Sequence, residues 1–165
     1  PLAEADRDRE ADEVAVDVSA VVTLARAFLP GMLARGSGGI LNVASTIAFQ
    51  PAPYQAVYGA SKAFVLSFSE ALWKEAEGTG VHVCCLCPGP TASHFRERAG
   101  TGKTRLARTG TPMKSAAVAE LGYQAWRKNH RVIVTGVRNA VVARLVPFLP
   151  RRTVLGLVHN LQSPA

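Results

Sequence analysis

The sequence predicts an α/β domain in which a parallel β-sheet lies between layers of helices, a three-layer arrangement. Two observations carry this reading. Helical stretches alternate with short apolar runs in the order helix, strand, helix, strand, helix, strand. The runs GGILNVAS, VHVCCLC and RVIVTG are near-continuously apolar rather than alternating, as expected of strands buried on both faces.

Residues 1–11 are acidic and polar and are expected as a loop. From Asp12 to Arg35, Val14, Val18, Val21, Val22, Ala25, Phe28, Leu29 and Leu33 recur at steps of three and four, which predicts a helix over 12–35 that Gly36, Gly38 and Gly39 stop. GGILNVAS then reads as a buried strand. After a loop with Pro51 and Pro53, a second helical pattern runs over 55–78 and ends at Gly78 and Gly80, where VHVCCLC supplies the next strand. Residues 88–113 carry Pro88, Pro90, Gly100, Gly102, Gly110 and Pro112 without periodicity, which suggests a lid over a ligand. A third helix is expected from Lys114 to Lys128, a strand from Arg131, and a helical tail over 137–165.

The 165 residues suit one domain with its own core, and 48% hydrophobic against 19% charged residues excludes a disordered chain. The net charge of +7 is uneven. Residues 1–20 hold seven acids and two bases, and residues 91–165 hold thirteen bases and two acids. Arg96, Arg98, Lys103, Arg105 and Arg108 are spread through a Gly/Thr-rich stretch without interleaved aromatics, so no nucleic-acid partner is expected. Cys84, Cys85 and Cys87 crowd one strand, where neighbours point to opposite faces. They read as buried, reduced thiols rather than a disulfide or a metal site, which fits a cytoplasmic protein. No signal peptide and no run of about 18 apolar residues for a spanning helix is expected. Arg138, Arg144, Arg151 and Arg152 dot the apolar tail. A helix pair with its arginines outward is preferred to a membrane contact, and a lid over a hydrophobic substrate is a further reading.

In a parallel sheet, ligands sit beyond the carboxyl ends of the strands, after Ala44, Leu86 and Thr135. Ser45 follows the first strand, Tyr58 comes thirteen residues later, and Lys62 completes Tyr-Gly-Ala-Ser-Lys. Four residues are about one helical turn, so the phenol and the ammonium share a face. The ammonium is expected to lower the tyrosine pKa toward acid–base work, while Ser45 can donate a hydrogen bond to a substrate oxygen. The bare Tyr-x-x-x-Lys pair also occurs as an ordinary solvated pair. The whole constellation says more: strand, Ser45, Tyr58 and Lys62 opening a helix, a second strand, then Pro88-Gly89-Pro90-Thr91-Ala92-Ser93.

That constellation resembles the short-chain dehydrogenase/reductase family from the first helix onward. The resemblance implies a Rossmann-like fold and an oxidoreductase that moves hydride between NAD or NADP and a carbonyl or secondary alcohol. In it Tyr58 is the general acid/base, Lys62 lowers the tyrosine pKa and holds the nicotinamide ribose, and Ser45 polarises the substrate carbonyl. Tyr58, Lys62, Pro88, Gly89, Thr91 and Ser93 are the implied cofactor-binding residues. Asn42 is given a structural role. Asp17 stands where the family usually has an asparagine that bends the first helix and holds a relay water. An ionised carboxylate accepts but cannot donate, and its charge near Tyr58 would raise the tyrosine pKa against the lysine, so a relay role and a merely structural one both stay open.

The family's Thr-Gly-x-x-x-Gly-x-Gly turn, which receives the pyrophosphate, has no counterpart here. The expectation is therefore a truncated domain lacking the first four strands. An alternative reading is a non-catalytic remnant or interaction module unable to bind a dinucleotide. The resemblance also implies a homo-oligomer formed through helices 12–35 and 55–78.

Overall fold

The structure is a computed structural model and describes residues 1–93 and 111–163. Helix α1 (Arg7–Val14) begins earlier than expected. The Asp6 carboxylate caps it, accepting from the backbone N–H of Asp8 at 3.0 Å and of Arg9 at 3.3 Å, and Asp8 and Glu10 in the first turn complement the helix dipole. Residues 1–11, expected as a loop, thus comprise a 3-10 turn at Leu2–Glu4 and the start of this helix. A π-helical segment, Ala15–Ser19, leads into α2 (Ala20–Arg35), and Gly36 ends it in the left-handed conformation at φ 65.

The inner face of this helical run packs on the core through Val21, Ala25, Leu29 and Met32. Val14, Phe28 and Leu33, expected on the same face, are exposed, because the helix is apolar on more than one side. The continuous helix Arg7–Arg35 is long and apolar enough, by length and composition, to cross a membrane, which corrects the expectation that no such run exists. Here it is docked on the sheet.

Strands β1 (Gly38–Val43), β2 (Val81–Cys87) and β5 (Val132–Val134) form a parallel sheet in the order β1-β2-β5. Gly38 pairs with Val81, and Cys85 with Val132. Helix α3 (Ala56–Glu75) packs with α2 on one face, where Val65 and Leu66 meet Cys85 and Cys87. Helix α4 (Ser115–Arg127) covers the other, with Gly122 so close to Leu86 that an added Cβ would lie 2.7 Å from its Cδ2. These are the three layers the sequence predicts. β1 forms one edge of the sheet, with Leu41 and Val43 exposed.

A short parallel pair, β3 (Thr91–Ala92) with β4 (Met113–Lys114), was not expected. The basic cluster from Arg96 to Arg108 and most of the lid expected over 88–113 lie outside the described residues. The tail holds α5 (Val137–Leu145) and α6 (Arg151–Gln162), whose Val154 and Val158 cluster with Val146 while Arg138, Arg144, Arg151 and Arg152 are exposed.

Candidate active site

Two loop ends lie side by side where β1 and β2 stop, because the Ala44 N–H donates to the Leu86 carbonyl at 2.8 Å and the Thr46 N–H to the Pro88 carbonyl at 2.9 Å. Ser45 sits between them in extended conformation and caps the 3-10 turn Thr46–Phe49, its Oγ accepting from the Ile47 N–H at 3.3 Å. Asn42 points away from this end and donates to Ser69 Oγ at 2.9 Å, the structural role expected of it.

Helix α3 delivers Tyr58 and Lys62 from its first two turns. Gly59 lets the preceding loop approach, since a Cβ there would lie 2.7 Å from that of Ala52. The Lys62 ammonium lies 5.6 Å from the Tyr58 ring centroid, 3.1 Å from Asp17 Oδ2 and 3.3 Å from the Val43 carbonyl oxygen. Asp17, presented by the π-helical segment, therefore joins the site through Lys62.

The electrostatics depart from the lowering expected of Lys62 and follow the opposing effect expected of Asp17. Tyr58 titrates above its ordinary value because burial penalises the phenolate; a hydrogen bond with Ser45 works against this, and the carboxylates of Asp17 and Glu13 add to it. The ammonium expected to lower this pKa is paired with Asp17. Burial and the neighbouring Asp17 carboxylate likewise raise the pKa of Glu13.

Ser45, Tyr58 and Lys62 open onto one cavity of about 970 Å³. Pro88, Gly89, Thr91 and Ser93 line the same cavity, so all the sequence-predicted residues except Asp17 border it directly. The Pro88-Gly89 turn is held by two residues the sequence reading passed over. The Gly89 N–H donates to Thr135 Oγ1 at 3.2 Å, and Asn139 donates to the Thr135 carbonyl at 2.8 Å while packing so tightly on Gly89 that a Cβ would overlap its amide. The signal was the position of Thr135 at the end of the third strand. The opposite wall comes from α5 and α6, and α6 is tied to the site by a 2.8 Å hydrogen bond between Tyr54 Oη and His159 Nε2.

The sequence model of the short chain dehydrogenase family matches residues 1–104, and the chain belongs to that family. A short chain dehydrogenase of Pseudocercospora fijiensis is 45% identical over 80 residues, 48% of this chain and 26% of that protein. The very-long-chain 3-oxoacyl-CoA reductase of Rattus norvegicus is 29% identical over 150 residues, 90% of this chain and 46% of that protein. Among solved structures, a short-chain dehydrogenase from Sphingobium yanoikuyae in complex with NADPH superposes with TM-score 0.75 at 23% identity, covering 98% of this chain and 60% of that one. The chain thus spans from about a quarter to under half the length of these two curated relatives.

Proposed function

We propose that this chain carries the proton-transfer site of an oxidoreductase that interconverts a carbonyl compound and a secondary alcohol with NAD or NADP. The observation that carries the reading is the meeting of Ser45, Tyr58 and Lys62 at one cavity. A nicotinamide nucleotide, when bound, supplies or accepts the hydride.

The donor set suits the nicotinamide end of that group. An ammonium has three donors, and Lys62 spends two, on Asp17 and the Val43 carbonyl, leaving one hydrogen for a ribose hydroxyl. Tyr58 borders the same space, and Pro88, Gly89, Thr91 and Ser93 form its neighbouring wall. The described residues offer no matching glycine-rich grip for a pyrophosphate.

In reduction, Ser45 donates a hydrogen bond to the carbonyl oxygen, and Tyr58 transfers its phenolic proton to that oxygen as the carbon accepts hydride. The carbonyl π bond breaks and an alcohol leaves. Oxidation reverses each transfer. A phenol whose pKa burial has raised stays protonated at neutral pH, which suits proton donation. The apolar tail lining the cavity and the name of the rat relative, a very-long-chain 3-oxoacyl-CoA reductase, support a hydrophobic substrate.

The test is consumption of NADH or NADPH by the 165-residue chain with a panel of aliphatic ketones, compared with Tyr58→Phe. The expected result is turnover in the wild type and a loss on the order of a hundredfold or more in the variant. Undiminished turnover by Tyr58→Phe would overturn the mechanism. Absence of both nucleotide binding and turnover would favour the alternative, a remnant or interaction module.

A further inference from the structure

Four exposed apolar side chains run down α5 into the 3-10 turn that follows it: Val137, Val141, Leu145 and Phe148, at steps of three and four. Val137 and Phe148 are each 85% exposed. None of the four lines the active-site cavity or joins a buried cluster. The inner side of the same helix and turn already serves the fold, with Ala143 and Val146 buried. A helix apolar on its inner side and again on its outer has a second surface to cover.

Basic side chains frame this stripe. Arg144 directly precedes Leu145, and Arg151 and Arg152 follow the turn; all three are exposed. The sequence has no Asp or Glu after Glu120, and the ion pairs of the described residues involve none of these arginines. Arg151 and Arg152 stand in the first turn of α6, which has neither an acidic residue nor a side-chain cap and where the helix dipole disfavours a cation. An anionic surface brought to this turn relieves that repulsion. A second copy of the chain, related by a two-fold axis, would set arginine against arginine.

We propose that the turn Val146–Phe148 and the outer face of α5 dock on an anionic lipid bilayer, with Leu145 and Phe148 entering the acyl boundary and Arg144, Arg151 and Arg152 meeting the headgroups. A soluble anion needs no apolar stripe, and a purely apolar partner needs no arginines. The other side of the same helix pair walls the cavity through Val142, Leu149 and Leu157, so docking holds that wall at the bilayer surface. The inference stands apart from the reductase reading.

Co-sedimentation of the 165-residue chain with phosphatidylcholine vesicles, with and without phosphatidylserine, tests it. The wild type is expected to pellet with the phosphatidylserine vesicles and to be released by salt. Phe148→Ser should weaken that binding about tenfold, and Arg151→Gln combined with Arg152→Gln should weaken it by roughly tenfold or more. Phe148→Trp should retain binding, and the fluorescence it adds should shift to the blue on the vesicles. No pelleting of the wild type, equal pelleting with and without phosphatidylserine, or an added fluorescence that does not shift overturns the inference. So does binding that both weakening variants retain, as insertion of the helix Arg7–Arg35 would give. Tail variants that change the oligomeric state while leaving vesicle binding intact would assign the face to a second copy and overturn it as well.

Discussion

Lys62 Nζ lies 3.1 Å from Asp17 Oδ2, joining the second turn of α3 to the π-helical segment between α1 and α2. The contact pairs the cation nearest Tyr58 with a carboxylate that itself raises the tyrosine pKa. Asp17→Asn removes that carboxylate and releases the ammonium, and both effects favour phenolate. The Tyr58 titration, followed by ultraviolet difference spectra against Tyr58→Phe, should move to lower pH. An unchanged or higher titration would show that Asp17 does not set the field at the phenol.

The same shift ties stability to pH. Tyr58 titrates higher folded than unfolded, so it contributes stability below its ordinary value of 10.0 and loses it as pH rises through the folded value. Denaturant titrations at increasing alkaline pH should show the wild type losing more stability than Tyr58→Phe. Parallel losses would sink the prediction.

Gly39 lies where β1 passes the carbonyl of His82, which accepts from the Trp126 indole N–H at 3.2 Å. An added Cβ would overlap both partners. Gly39→Ala should therefore cost about 2 kcal/mol, read as a lower urea midpoint, through forced displacement of the α4 layer. An unmoved midpoint would refute the close approach.

Leu24 and Phe28 stand 57% and 59% exposed on the outer face of α2, and Phe64 on α3 stacks on Phe68 at 5.6 Å while remaining partly open. We propose that these helices mediate self-association. Phe28→Glu should shift the chain to monomer in analytical ultracentrifugation. A wild type that is already monomeric, or a variant with unchanged sedimentation, would count against it.

Tyr54 is held at φ 66, a conformation that non-glycine residues seldom adopt, and its hydroxyl meets His159 Nε2 with the rings 5.1 Å apart. Tyr54→Phe removes the hydrogen bond and keeps the ring. Amide exchange should rise in α6 and stay constant in β2. Equal protection in both proteins would mean that packing alone fastens the tail.

The layered fold was legible because the strands' apolar continuity and the glycine stops survive in the sequence. Ser45, Tyr58 and Lys62 were legible because their spacing maps directly onto a strand end and a helical turn. The start of α1 was missed although its capping signature, Asp6 before Asp8 and Glu10, is written there; apolar periodicity begins only at Val14. The π-helical segment left no local mark, so the charge of Asp17 beside Tyr58 was expected but its direct pairing with Lys62 was not. Thr135 and Asn139 act on the Pro88-Gly89 turn, far away in the chain. Their roles emerge only when β5 and the tail are placed beside the loops after β1 and β2.

The three thiols of β2 have a use outside the chemistry of the site. Cys84, Cys85 and Cys87 are fully enclosed, Cys85 and Cys87 with their sulfurs 3.8 Å apart, and burial pushes the Cys84 pKa to about 12. A thiol reagent has no access to any of the three until the central strand is uncovered, and at Cys84 it meets no thiolate either. Labelling then keeps time for the opening of the sheet, and because each face of β2 carries its own sulfur, mass spectrometry of the labelled strand can report whether the α3 side or the α4 side lets go first.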